Sequence, residues 1–266
     1  MLAGKHRRAR PMKSILALLV ALLAATAAQA SQAGELRATY GDIVTPDSEL
    51  RKVLGELRGI AATGSEKNIP LVEAYFAVGT KTFSRGLDPF ERWRPGPKLA
   101  RDYLEGMANV MVEQGEFAAG QPVPDYRLTA MTLLASLISE DATFGRLREA
   151  PGATCTPPAY KVDVKAVRAF ARRFDLDAHS LYFFADERLL AKAPGSRRGE
   201  RVPANTLLIS DYDPDTPDGW TRAQTAGGVK GYLKDGDDPL GLSQSHVCFA
   251  KVKDKYRITA IFGYGL

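Results

Sequence analysis

The sequence predicts an α+β protein: a mainly helical domain over residues 31–152, then a small β-barrel over 153–266 with a preceding helix and an added C-terminal hairpin. Three observations carry this. From Asp47 to about Glu149 the apolar residues recur at helical spacing, whereas after Asp177 they alternate. Between the two regimes Pro151-Gly152 and then Pro157-Pro158 make a turn-rich junction.

The first thirty residues read as a cleavable signal peptide. Lys5, Arg7, Arg8, Arg10 and Lys13 form a positive stretch without an acid, and Ile15–Ala28 is apolar but short for a membrane span, which needs about 20 residues. Ala28-Gln29-Ala30 gives the small-x-small pattern cut before Ser31, and either Met1 or Met12 can start the signal. The expectation is a periplasmic or secreted protein with no stable membrane span after cleavage. The signal also explains the charge. The chain holds 36 basic and 31 acidic side chains, and five of the basic ones lie in the signal, so residues 31–266 are formally neutral. A nucleic-acid partner, which needs a persistent basic surface, loses its support.

In the helical part Asp47 or Ser48 caps a helix whose Leu50, Val53, Leu54, Leu57 and Ile60 share a face, with Gly64 past its end. A second helix is expected from Lys98 to Gln114. Asp125 caps a third, with Leu128, Met131, Leu134 and Ile138 inward. Leu71–Phe83 suits either a strand, by its β-branched and aromatic content, or a short helix, by Pro70 and Glu73-Ala74. Beyond the junction Asp163 caps one more helix, with Val167, Phe170 and Phe174 buried. Seven strands then follow between Gly, Pro, Asp and Asn clusters: Ser180–Phe184, Leu189–Ala193, Thr206–Asp211, Trp220–Thr225, Val229–Leu233, Val247–Val252 and Tyr256–Phe262.

Cys155 and Cys248 are the two cysteines. In an oxidising compartment an even pair reads first as a disulfide, worth about 4–5 kcal/mol in the chain-entropy model; the other reading is two buried thiols.

Within residues 189–233 the order Leu189-Leu190-Ala191-Lys192, Pro194-Gly195-Ser196, Val202-Pro203-Ala204-Asn205-Thr206, an acidic loop from Asp211 to Asp218, Gly219-Trp220-Thr221-Arg222 and Gly227-Gly228-Val229-Lys230-Gly231-Tyr232-Leu233 resembles bacterial SH3-like (SH3b) domains. The resemblance covers about a fifth of the exported chain. It implies an SH3-like barrel on which Trp220, Tyr232 and Tyr212 line a groove for cell-wall peptide. An aromatic pair beside an acidic loop is by itself a shelf for an extended peptide. Trp220 also reads as a core residue closing the barrel.

Other motifs point to weaker chemistry. An amidase would pair Cys155 with His179 or His246, but Cys155 lies in a Pro-rich turn with a second cysteine available to oxidise it. Asp211, Asp213 and Asp215 have the opening spacing of a calcium loop, but Thr216 and Arg222 stand where Gly and Glu belong, so no metal site is expected. Phe90 and Trp93, among Arg92 and Arg94, make either a partner-binding patch or a loop anchored by its aromatic rings. The expectation is a non-enzymatic binding protein of the envelope, without cofactor, whose partner is a cell-wall peptide or an envelope protein; the alternative is a structural protein–protein interaction module.

Overall fold

A computed structural model describes residues 35–86, 88–111, 125–211, 213–236 and 239–264. Among these the chain is mixed α+β, with five α-helices and three sheets. In chain order, strand β1 (Thr39–Tyr40) precedes helices α1 (Ser48–Ala61) and α2 (Ile69–Glu73), strands β2 (Phe76–Ser84) and β3 (Arg94–Leu99), and helices α3 (Tyr103–Met111) and α4 (Tyr126–Leu137). Strands β4 (Thr154–Thr156) and β5 (Tyr160–Lys161) lead to helix α5 (Val164–Arg172). Then come β6 (Leu181–Phe183), β7 (Arg188–Ala191), β8 (Gly199–Val202), β9 (Leu208–Ser210), β10 (Trp220–Thr225), β11 (Lys230–Lys234), β12 (Leu240–Gly241), β13 (His246–Val252) and β14 (Lys255–Gly263). The signal segment and Tyr212 lie outside the described residues.

The caps fall where side-chain chemistry puts them. Asp47 accepts the Leu50 amide at 2.8 Å, Asp125 the Arg127 amide at 3.0 Å, and Asp163 the Ala166 amide at 3.0 Å, each satisfying an orphan donor of a first turn. Leu71–Phe83 resolves into both alternatives, the end of α2 and most of β2. The helix expected from Lys98 begins only at Tyr103, because Lys98 and Leu99 pair with Lys81 and Thr80 as the end of β3.

Five strands form one sheet in the order β3-β2-β14-β13-β4, parallel only between β2 and β14. One face, with Phe76, Val247, Phe249, Ile258 and Ile261, packs on α1–α4 through Leu50, Leu57, Met107, Met131 and Leu134. On the other face Phe83, Phe262, Ala260 and the two cysteines are covered by Leu147, Ala150 and Ala153. Cys155 and Cys248 are register partners on β4 and β13, fully buried and joined by a 2.01 Å S–S bond. This settles the cysteines as a disulfide. It also corrects the expected place of the terminal hairpin. β13 and β14 do not extend the second half's sheet; they are central strands of the sheet that backs the helices.

The second sheet is antiparallel throughout, ordered β12-β6-β9-β10-β11-β7-β8. Helix α5 lays Val167, Phe170 and Ala171 on Leu181, Phe183 and Ile209 of one face. The opposite face buries Phe184, Leu190, Val202, Leu208, Ala223 and Leu233 together. β1 and β5 form a two-stranded ribbon. No helix among the described residues is long and apolar enough to cross a membrane.

Candidate ligand-binding face

The β10–β11 hairpin fixes where its aromatic residues point. Ala223 and Leu233 are buried, and side chains alternate along a strand, so Trp220, Arg222 and Gln224 share the opposite, outward face with Lys230, Tyr232 and Lys234; it is the face that α5 covers at Ile209, and on β10 and β11 its side chains are half-buried or exposed. The register sets Trp220 opposite Lys234 and Arg222 opposite Tyr232, so the two rings are diagonal neighbours, within reach of each other. Both are half-buried, and neither belongs to a buried cluster of the described residues. Gly219, at φ +80°, turns the chain into β10 in a conformation that side chains resist. Gly231 lets β11 run close to β7: a Cβ there would lie 2.8 Å from the Ala191 oxygen. That approach pairs Tyr232 with Ala191, placing a small side chain beside the ring.

The first part of the acidic loop is neutralised from within, and Asp215 and Asp218 are exposed. The Arg222 guanidinium reaches Asp213 at 2.7 Å and Asp211 at 3.3 Å. The Asp215 amide and then Arg222, both bonded to Asp213, hold that carboxyl below its usual range. A cation thus sits among the acids that the sequence spaces like a calcium loop. No described His, Cys, Asp and Glu residues cluster as a metal site.

The cysteine and histidine of the amidase reading do not make a nucleophile. The Cys155 sulfur is in the disulfide, so it supplies no thiolate. His246 is buried, with Nδ1 2.7 Å from the Pro157 oxygen, and burial pushes its imidazole down to about 4. His179 is exposed on a 3-10 turn.

Pattern reading misses the polar cluster around His246. Arg85 lies with its guanidinium carbon 4.0 Å over Trp93 and donates to the Tyr264 hydroxyl at 2.6 Å. That hydroxyl donates to the Gln244 carbonyl at 2.8 Å, and burial raises its pKa. Trp93 meets His246 and Phe262 edge-on, so its loop is anchored by aromatic packing, and its cation partner is Arg85 rather than Arg92 or Arg94. Phe90 packs on the second sheet's core, and Asp88 of the same loop pairs with Arg168 of α5. The segment from Asp88 to Trp93 therefore touches both halves, α5 and the second sheet's core at one end and the first sheet at the other. A separate shallow cleft of about 280 Å³ lies between α1 and the loop after α4, lined by Arg51, Leu54, Gly55, Arg58, Glu140 and Phe144; Arg58 and Glu140 pair across it at 2.8 Å.

Comparison of the chain with known protein families, with curated proteins and with solved structures finds no match.

Proposed function

We propose that this is an exported binding protein of the cell envelope, without enzymatic activity, whose second half is SH3-like and holds an extended peptide of the cell wall against Trp220 and Tyr232. The observation that carries the reading is the hairpin register, which puts both rings on the outward face while Ala223 and Leu233 fill the core beneath. Half-exposed aromatic rings give a peptide apolar contact at little entropic cost, and the neighbouring polar side chains fix its position. The Cys155–Cys248 disulfide supports export, since such bonds persist in oxidising compartments. The apolar N-terminal run supports it independently.

The test is co-sedimentation of the purified protein with isolated peptidoglycan, beside Trp220→Ala and Tyr232→Ala, with circular dichroism to show both variants folded. Retention of the wild type and at least tenfold weaker retention of each folded variant is expected. A wild type that stays in the supernatant overturns the cell-wall reading. Mature protein beginning at Ser31 in the envelope fraction is the matching expectation for export.

A further inference from the structure

The face bearing Trp220 and Tyr232 has opposite charge at its two ends. Because β11 pairs antiparallel with both β10 and β7, Trp220 and Lys234 mark one end, and Gln224 and Lys230 the other. Beyond the Trp220 end run the loop from β9 to β10, with Asp211, Asp213, Asp215 and Asp218, the turn after β11, with Asp235, and the turn before β7, with Asp186 and Glu187. These seven acids outnumber the four cations there, of which Lys234 is exposed and the three arginines are in ion pairs. Arg222 is bonded to Asp211 and Asp213, Arg188 to Asp186, and Arg201 to Glu187. Asp215 and Asp218 are exposed. Beyond the Lys230 end lies the β7–β8 tip, where Lys192, Arg197 and Arg198 are exposed and, with Lys230, outnumber the acids Glu35 and Glu200. From residue 230 to 234 a strand advances about 13 Å, which exceeds the Debye length of about 8 Å at physiological ionic strength. The two ends therefore act on a ligand separately.

We infer that the ligand is a short extended peptide with an unblocked amine and an unblocked carboxylate, laid along β11 with its amine at the Trp220 end and its carboxylate at the Lys230 end. This rests on the peptide-binding reading and adds length, charge and direction to it. About 13 Å matches roughly four extended residues. Tyr232, midway with Ala191 beside it, takes the apolar centre. Exposed ion pairs contribute up to about fivefold each in affinity, so the rings supply contact while the charged ends set orientation.

The experiment titrates the protein with tetraalanine in four forms: free, N-acetylated, C-amidated, and blocked at both ends. It follows tryptophan fluorescence and amide chemical shifts, with peptidoglycan co-sedimentation run on the same samples. Free tetraalanine is expected to bind most tightly, with about threefold to fivefold loss for each blocked end, diminishing in high salt. Arg197→Glu with Arg198→Glu removes the sensitivity to amidation and keeps that to acetylation; Asp215→Asn with Asp218→Asn does the reverse. These exposed loop positions leave the core intact. Equal binding of all four forms, no binding of any, or the opposite pairing of variant and blocked end overturns the inference. Peptidoglycan retained under any of those outcomes leaves the binding reading standing, whereas loss of both sinks the two together.

Discussion

The five-stranded sheet and the β10–β11 hairpin of the seven-stranded sheet deploy their aromatic residues differently, although Phe183 and Phe184 are core residues of the latter sheet. In the first, Phe83 stacks on Phe262 at 4.4 Å, Trp93 meets Phe262 edge-on, and the disulfide lies in the same cluster. In the second, Trp220 and Tyr232 make no ring–ring contact among the described residues and stand on the outward face of the hairpin. The first arrangement converts ring area into stability, because buried apolar surface is removed from water once, on folding. In our reading the second keeps that area for a ligand. The same residue types thus serve the fold in the five-stranded sheet and, in our reading, a ligand on the β10–β11 hairpin.

The difference can be broken most forcefully at the disulfide. It closes a separation of 93 residues and ties edge strand β4 to β13. Cys155→Ser with Cys248→Ser is expected to cost about 4–5 kcal/mol in the chain-entropy model, read as a fall in the urea midpoint. Both sulfurs are buried, so dithiothreitol should reduce the native protein only as fast as it opens. Next in size is Phe262→Ala, which removes a fully buried ring between Phe83 and Trp93 and costs about 3–5 kcal/mol, or roughly 10 °C in Tm. An unchanged melting curve would refute the assignment of that cluster as core.

His246 gives a pH-dependent version of the same test. Burial holds its imidazole neutral, pushing it down to about 4 from the ordinary 6.5. Between these values the unfolded chain binds the proton and the folded chain does not. Stability is therefore full above about pH 6.5 and is lost as pH falls toward 4, by about 3 kcal/mol. His246→Gln should flatten that window. The carboxylates of Asp47 and Asp125, lowered chiefly by their hydrogen bonds to the Leu50 amide and to Arg127, act further down the scale. A wild type with level stability from pH 7 to 4 would contradict the burial of this ring.

What the sequence makes legible is what lies close together along it. The caps at Asp47, Asp125 and Asp163, and the strand Trp220–Thr225, follow from neighbours a few residues away. β3 shows the limit. Arg94-Pro-Gly-Pro-Lys-Leu99 has no apolar alternation and two prolines, and it forms a strand because it is at a sheet edge, where a missing amide donor is tolerated. The hairpin of β13 and β14 is legible as a hairpin, but its sheet is not, since β14 pairs in parallel with a strand far back in the chain. For the same reason the aromatic face follows from one hairpin's register, whereas Arg85, Trp93, Gln244, His246 and Tyr264 meet only through tertiary packing.

The smallest effect on stability is the sharpest test of the contrast. Trp220→Ala removes a ring as large as any in the five-stranded sheet, so a uniform rule that aromatic residues are structural predicts a loss of several kcal/mol. Its outward, half-buried position predicts much less, within about 1 kcal/mol, because little surrounding structure depends on it. Thr221 Oγ1 holds Asp235 at 2.7 Å and the Asp235 amide bonds the Gly219 carbonyl at 2.9 Å, so the hairpin end stays fixed without the ring. A urea midpoint near wild type, together with lost retention on peptidoglycan, separates ligand contact from folding at a single residue. A large drop in stability would instead make Trp220 part of the core and erase the difference between the five-stranded sheet and the hairpin.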